Sequence, residues 1–181
     1  MLLPFLLQIR YNETYAASEV SWAIVFRLKR EKGPLNAMFT KDYIVGLVDG
    51  EGSFTAYVCN PHKSNKSKPK RRVKVEPRFY VKLVEEDRAI LDELKKCFNC
   101  GNVYFQKDTR KNHQNCYRFE VTDRKHLAEI IIPFFKENKL KFSTKKRDFK
   151  IFCQIMQLVI KGVHLNPKGL EKIFLLKQKM H

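Results

Sequence analysis

From Val73 to Leu83 the chain alternates between two kinds of side chain. Val73, Val75, Pro77, Phe79, Val81 and Leu83 take every second place, with Lys74, Glu76, Arg78, Tyr80 and Lys82 between them. A period of two is the repeat of a pleated strand, so the first set faces a core and the second the opposite side of a sheet. Pro77 has no ladder donor, which predicts an edge position or a bulge. Three shorter strands complete the sheet. In Ser53 to Asn60, Phe54, Ala56 and Val58 alternate with Ser53, Thr55 and Tyr57. In Asn102 to Lys107, Val103 and Phe105 are expected inward, Tyr104 and Gln106 outward. In Asn115 to Val121, Tyr117, Phe119 and Val121 are expected inward, Arg118 and Glu120 outward. The last two read as a hairpin whose polar connection holds Arg110, Lys111 and Asn112.

Helical spacing separates the strands. Thr40 can cap a helix carrying Tyr43, Ile44, Leu47 and Val48, which should end at Gly50 or Gly52. A second helix is predicted from Glu86 to Phe98, with Ile90, Leu91, Leu94, Cys97 and Phe98 as its apolar stripe. Two or three more follow, near 123–138, 143–161 and 167–180, punctuated by Gly162 and Asn166-Pro167. Phe134, Phe135 and Phe142 read as packing residues. The order is α-β-β-α-β-β-α plus C-terminal helices. This is an α+β domain over residues 38–181, with one four-stranded antiparallel sheet. Residues 1–37 hold the only Trp, Trp22, end near Gly33-Pro34, and read as an extension, partly helical from Ala17 to Lys29.

Charge narrows the partners. Lys and Arg number 36 against 19 Asp and Glu, a net +17. That excess points to a polyanion, most simply nucleic acid. No apolar run approaches the roughly 20 residues of a membrane helix. The apolar start, Met1 to Ile9, is broken by Pro4 and lacks the basic stretch of a secretory signal. The expected location is therefore a bacterial cytoplasm or an organellar matrix or stroma, without secretion. Five scattered cysteines read as reduced thiols. Cys97 and Cys100, followed by His113 and Cys116, are spaced like two halves of a zinc site. Cys97 lies on a helix stripe and Cys100 precedes the turn residue Gly101, so zinc is not expected.

The outward sheet face would carry Tyr57, Lys74, Arg78, Tyr80, Lys82, Tyr104, Gln106 and Arg118. Antiparallel sheets often leave a polar face to water. Here the bias is basic, and the loop from 61 to 72 adds Lys63, Lys66, Lys68, Lys70, Arg71 and Arg72 without one acid. Nucleic acid fits that surface. Arg78 and Arg118 suit guanine and Gln106 suits adenine, whereas the lysines between 63 and 74 suit phosphates. Arg72, Arg110 and Lys111 join the DNA-binding set.

The segment Ile44 to Gly52 carries the chemistry. Gly46 and Gly50 are four apart, on one side of their helix, where missing side chains let another backbone approach. Each costs about 1 kcal/mol against alanine, so a packing or functional gain is expected. Asp49 and Glu51 sit at the helix C-terminus, where a carboxylate opposes the macrodipole. A cation would relieve that placement.

These residues resemble the signature of the LAGLIDADG homing endonucleases, with Ile44 for the first Leu, Val45 for Ala and Glu51 for the second acid. Pro77-Arg78-Phe79, Ile90-Leu91, Gly101 to Tyr104, Ile132 to Phe135, Ser143 to Lys146 with Phe149, and His164 to Glu171 extend the likeness over about 38–181. The resemblance implies a homing-endonuclease-like fold whose sheet is a saddle for DNA. It implies a site-specific double-strand endonuclease that hydrolyses phosphodiester bonds with Mg²⁺, for which Mn²⁺ or Ca²⁺ are substitutes. Glu51 and the Gly50 carbonyl would hold the metal. Lys145 and Lys146 would be the basic residues near the scissile phosphate. Val45, Gly46, Asp49 and Gly50 would form a helix-to-helix seam, with Asp49 organising the helix end. Only one signature occurs, so the implied assembly is a C2 homodimer over a long pseudo-palindromic site. Val45 is bulkier than the family's Ala, and Leu83 stands where members often place a water-ordering Gln. Two rivals follow: a DNA-binding protein of this fold without cleavage, and an RNA-splicing maturase.

Overall fold

The structure is a computed structural model that describes residues 39–62, 75–110 and 113–181. The extension 1–37 and the expectations on Lys63, Arg72, Val73, Lys74 and Lys111 lie outside the described residues.

Helix α1 (Lys41–Glu51) starts where Thr40 Oγ1 accepts the Tyr43 N–H at 3.1 Å. It passes straight into β1 (Gly52–Val58). Gly52 makes that junction possible, because a Cβ there would sit 2.6–2.8 Å from Val48. Strand β2 (Val75–Val84) leads through a 3-10 turn, Glu85–Asp87, into α2 (Arg88–Phe98). Asn99 and Gly101, both at positive φ, turn the chain into β3 (Asn102–Gln106), and β4 (Cys116–Val121) returns. Four antiparallel strands form one sheet in the order β1-β2-β4-β3.

Pro77 is thus in an interior strand, not on an edge. The β2–β4 ladder begins only at Phe79 opposite Val121, so Pro77 lies beyond the end of β4. The Val75 carbonyl, two residues away and so on the same side of the strand, is taken by the Arg124 guanidinium at 3.1 Å. The missing N–H therefore falls where no strand could use it.

The alternation in β2 appears as expected, with Val75, Pro77, Phe79 and Val81 buried. Strand β3 departs from its pattern. As the edge strand it is covered on one side only, and Phe105 is 49% exposed beside Tyr117, 5.3 Å between ring centroids. The segment expected as one helix over 123–138 runs without a gap from Arg124 to Glu137 but changes pitch: α3 (Arg124–His126), a π-helical stretch (Leu127–Ile131) and α4 (Ile132–Glu137). Pro133 in the first turn of α4 explains the change of pitch. It offers no N–H to the preceding turn, and its ring would clash with the carbonyl four residues back. Helix α5 (Ser143–Ile160), a 3-10 turn and α6 (Pro167–Lys177) finish the chain.

The core lies between the sheet and the helices. Phe54, Phe79 and Phe119 meet Phe98, Phe134, Phe135 and Phe152 in one aromatic cluster. The stacked pairs are Phe54 with Phe79 at 5.0 Å and Phe98 with Phe119 at 6.2 Å. A second cluster, Ala56 and Val75 with Ile151, Ile155, Val159, Leu170 and Ile173, lies where α5 and α6 cover the far end of the β1–β2 pair. Phe142, expected to pack, is 57% exposed, because it precedes α5 on the loop that closes against α1. Both clusters hold one sheet face against helices and leave the other face clear of them. Replacing Phe79 by Ala should cost about 3–5 kcal/mol in chemical denaturation, whereas Phe105→Ala should cost under about 1 kcal/mol.

Candidate functional site

Two places gather the expected residues: the C-terminal end of α1 and the outward face of the sheet. In α1, Gly46, Gly50 and Glu51 are exposed while Val45 and Asp49 are buried. A Cβ built on Gly46 or Gly50 meets nothing within 4 Å, so no contact among the described residues requires glycine at either place. Both nevertheless weaken the helix. Val45, by contrast, is already covered.

Asp49 faces inward. Its Oδ2 accepts the Lys141 N–H at 2.6 Å and its Oδ1 the Phe142 N–H at 3.3 Å. These are the two residues that lead into α5, and an ionised carboxylate is the strongest acceptor a side chain can offer them. The bonds hold the start of α5 against the end of α1. One turn on, the Lys145 ammonium donates to the Gly52 carbonyl. Gly52 is the residue after Glu51, so Lys145 and Glu51 share one end of the fold. Lys146 is exposed, and its side chain makes no hydrogen bond or ion pair among the described residues. The Glu51 carboxylate likewise has no partner among them. An unpaired carboxylate at a helix C-terminus is electrostatically unfavourable as it stands.

Across the sheet, Tyr57, Arg78, Tyr80, Lys82, Gln106 and Arg118 are half-buried on the outward face and Tyr104 is exposed. The register sets Arg78 opposite Thr55, and Arg118 opposite both Lys82 and Tyr104. The two arginines do not stand free. Arg78 places Nη1 3.2 Å from Glu120 Oε1 and Nη2 3.2 Å from Glu76. Arg118 places Nη2 3.0 Å from Glu120 Oε2 and lies over the Tyr80 ring at 5.3 Å. Glu120 is on the outward face as expected, yet only 8% exposed, sunk between the guanidiniums. The sequence reading passed it over. An acid two places from Arg118 and diagonally across from Arg78 was the available signal.

Arg110 is clasped by Asp108, with Nε to Oδ1 at 2.9 Å and Nη2 to Oδ2 at 2.5 Å. Those bonds hold the Asp108 carboxyl well below the usual carboxylate range. Leu83 packs against the core opposite Tyr117, away from the outward face. Burial pushes the Cys100 thiol up to about 11. Among the described residues no three His, Cys, Asp or Glu side chains cluster as a metal group, so Cys97, Cys100, His113 and Cys116 are not brought together. None of the described helices is long and apolar enough to cross a membrane.

Residues 44–156 match the family described as LAGLIDADG endonuclease. A probable intron-encoded DNA endonuclease of Mycosarcoma maydis is 34% identical over 68% of this chain and 38% of its own length. A probable intron-encoded endonuclease of Neurospora crassa is 32% identical over 72% of this chain and 27% of its own. The chain thus spans less than two fifths of these curated relatives. The crystal structure of the homing endonuclease I-TnaI superposes with a TM-score of 0.62 at 32% identity, over 79% of this chain and 88% of that one. I-SmaMI bound to uncleaveable DNA gives 0.66 at 26% identity, over 81% of this chain and 46% of that one.

Asp49→Asn keeps the shape of the side chain but turns an amide donor toward one backbone N–H. It should lower stability by about 1–3 kcal/mol in chemical denaturation, and an unchanged midpoint would contradict the assigned contact.

Proposed function

The chain belongs to the LAGLIDADG endonuclease family, and from that premise we propose that it is a site-specific, metal-dependent endonuclease that cuts double-stranded DNA as a pair of protomers. The observation that carries the reading is the end of α1. An exposed Glu51, without a partner among the described residues, stands beside two glycines that no contact among those residues explains. Pairing α1 with α1 of a second copy through Gly46 and Gly50 accounts for both features. The helices approach closely, and the two Glu51 carboxylates come to the axis between them.

The donor set fits a hard divalent cation. One carboxylate and the neighbouring Gly50 carbonyl are oxygen ligands of the kind Mg²⁺ takes, and Mn²⁺ or Ca²⁺ would occupy the same oxygens. One protomer holds too few of them, in line with the lack of any acid cluster among the described residues. When bound, the metal supplies an activated water and offsets charge on the leaving oxygen. The chain's own residues do the rest. Lys145, held at Gly52, places an ammonium beside that end of the fold for the scissile phosphate. Asp49 keeps α5, and so Lys145, in register with Glu51. Lys146 remains exposed for a phosphate farther along the duplex. The outward sheet faces of two protomers would lie along the major groove of a long pseudo-palindromic site. Tyr57, Tyr80, Lys82, Tyr104 and Gln106 are directed there, Arg110 lies between β3 and β4, and the lysines and arginines of 63–72 supply charge for phosphates. With +17 on each copy, binding should weaken steeply with salt. The reading places the protein with its target DNA, in a bacterial cytoplasm or an organelle.

The test uses a duplex made by joining the nucleotide sequences that flank the coding region. Wild type should cut it on both strands when Mg²⁺ is added. Glu51→Gln should still shift it in a gel but cut at least about a hundredfold more slowly. A wild type that shifts the duplex without ever nicking it would support a binder without cleavage, and an effect on intron RNA folding alone would support a maturase. Gly46→Leu should sediment as a monomer where wild type sediments as a dimer; a dimeric variant would move the seam elsewhere.

A further inference from the structure

The outward sheet face holds a charge arrangement that a simple DNA-attracting surface would not need. Glu76, Arg78, Arg118 and Glu120 are linked by contacts of 3.0–3.2 Å, and their formal charges cancel. The two arginines best placed for the groove therefore add little to the long-range attraction of a +17 chain. That attraction comes from lysines and arginines elsewhere. Stability does not explain the group either. Desolvating a carboxylate and two guanidiniums costs several kcal/mol per ion, and well-packed apolar residues often serve as well or better. Lys82 opposite Arg118 adds a like-charge pair, which is unfavourable in a sheet.

The geometry is informative. Glu120 is 8% exposed, while the Arg78 and Arg118 side chains retain 25% and 24% exposure. Each guanidinium meets Glu120 through a terminal nitrogen only. The Nε groups of both are buried and make no hydrogen bond. A guanidinium carries five N–H donors, and the Arg78–Glu120 contact is an ion pair and not a hydrogen bond, since Glu120 Oε1 is itself buried with no hydrogen-bond partner among the described residues. Terminal N–H groups therefore remain at the sheet surface on side chains held by ion pairs at their base. Tyr80 beneath Arg118 fixes that plane further.

We infer that Glu120 is a specificity-determining positioning residue: it clamps Arg78 and Arg118 so that their remaining N–H groups meet base edges and not phosphates. This rests on the DNA-endonuclease reading above. The clamp works in two ways. It cancels the charge that would draw either arginine to the backbone. It also fixes the two guanidiniums on neighbouring strands β2 and β4, which are about 4.8 Å apart. A fixed guanidinium with free N–H groups matches guanine N7 and O6. An arginine released from the clamp is a mobile cation that binds any phosphate within reach.

The experiment selects sequences from a library of randomised duplex DNA, with wild type and with Glu120→Gln. It then measures binding of each protein to a scrambled duplex across a range of salt. Wild type should enrich guanine at defined positions in each half-site. Glu120→Gln should flatten that preference at least tenfold at the same positions while keeping the others. It should also bind the scrambled duplex more tightly, with a salt slope steeper by about one phosphate contact for each arginine released. A folded Glu120→Gln with the wild-type preference and the wild-type slope overturns the inference. If that variant fails to fold, Arg118→Lys keeps the charge and loses the fork. It should flatten one set of positions without changing the slope, and an intact preference overturns the inference. A wild type that binds no duplex at all contradicts the endonuclease reading itself.

Discussion

The Asp49 carboxylate takes two backbone N–H groups, those of Lys141 and Phe142, from a segment more than ninety residues further along. Much of the candidate site depends on that contact. It closes the loop between α4 and α5 onto the end of α1, and α5 then rises from that point across the back of the sheet. Lys145 reaches the Gly52 carbonyl because its helix starts there. Asp49 itself is 3% exposed, so its carboxylate is kept out of water and depends on those donors. In the signature segment the two acids divide the work. Asp49 turns inward and holds the frame; Glu51, two residues on, turns outward with no partner among the described residues.

The exposed part of α1 is left unsatisfied in three respects at once. Gly46 and Gly50 weaken the helix without relieving crowding from any described residue, and Glu51 sets a negative charge at the negative end of the helix dipole. Each is unfavourable for an isolated protomer. In the proposed dimer all three would become favourable, with a second α1 packed against the glycines and a cation joining the two carboxylates. Function thus appears here as local disagreement with the rules of stable folding, while the elements around it obey them. The sheet repeats the theme on its outward face, where burial of Glu120 between arginines contributes little to stability and much to the order of the surface.

Much of this was legible in the sequence. The period-two run of β2, the stripe of α2 and the glycine-acid ending of α1 gave the element order, the buried face and the place of Glu51. What was missed depended on contacts between distant segments. Alternation cannot say that β3 is an edge strand, so Phe105 was expected inside and stands half in water. Nor can it say where a neighbouring strand stops, which is what lets Pro77 sit in an interior strand. The π-turn before α4 was readable from Pro133 but was merged into one helix. Asp49 was expected to organise the end of its helix, but its partners there, the Lys141 and Phe142 N–H groups, are backbone groups, which carry no sequence signal. Arg78 and Arg118 were correctly placed on the outward face, but the acid between them needed the register of β2 and β4 to be seen.

The account stands on two Glu51 carboxylates meeting at one metal position. The most direct measurement is anomalous diffraction from crystals of the protein with its duplex and Mn²⁺. The account predicts a manganese peak between two α1 ends, ligated by Glu51 from each protomer. A peak elsewhere, or a DNA complex whose two Glu51 side chains lie on opposite sides of the assembly, would contradict it.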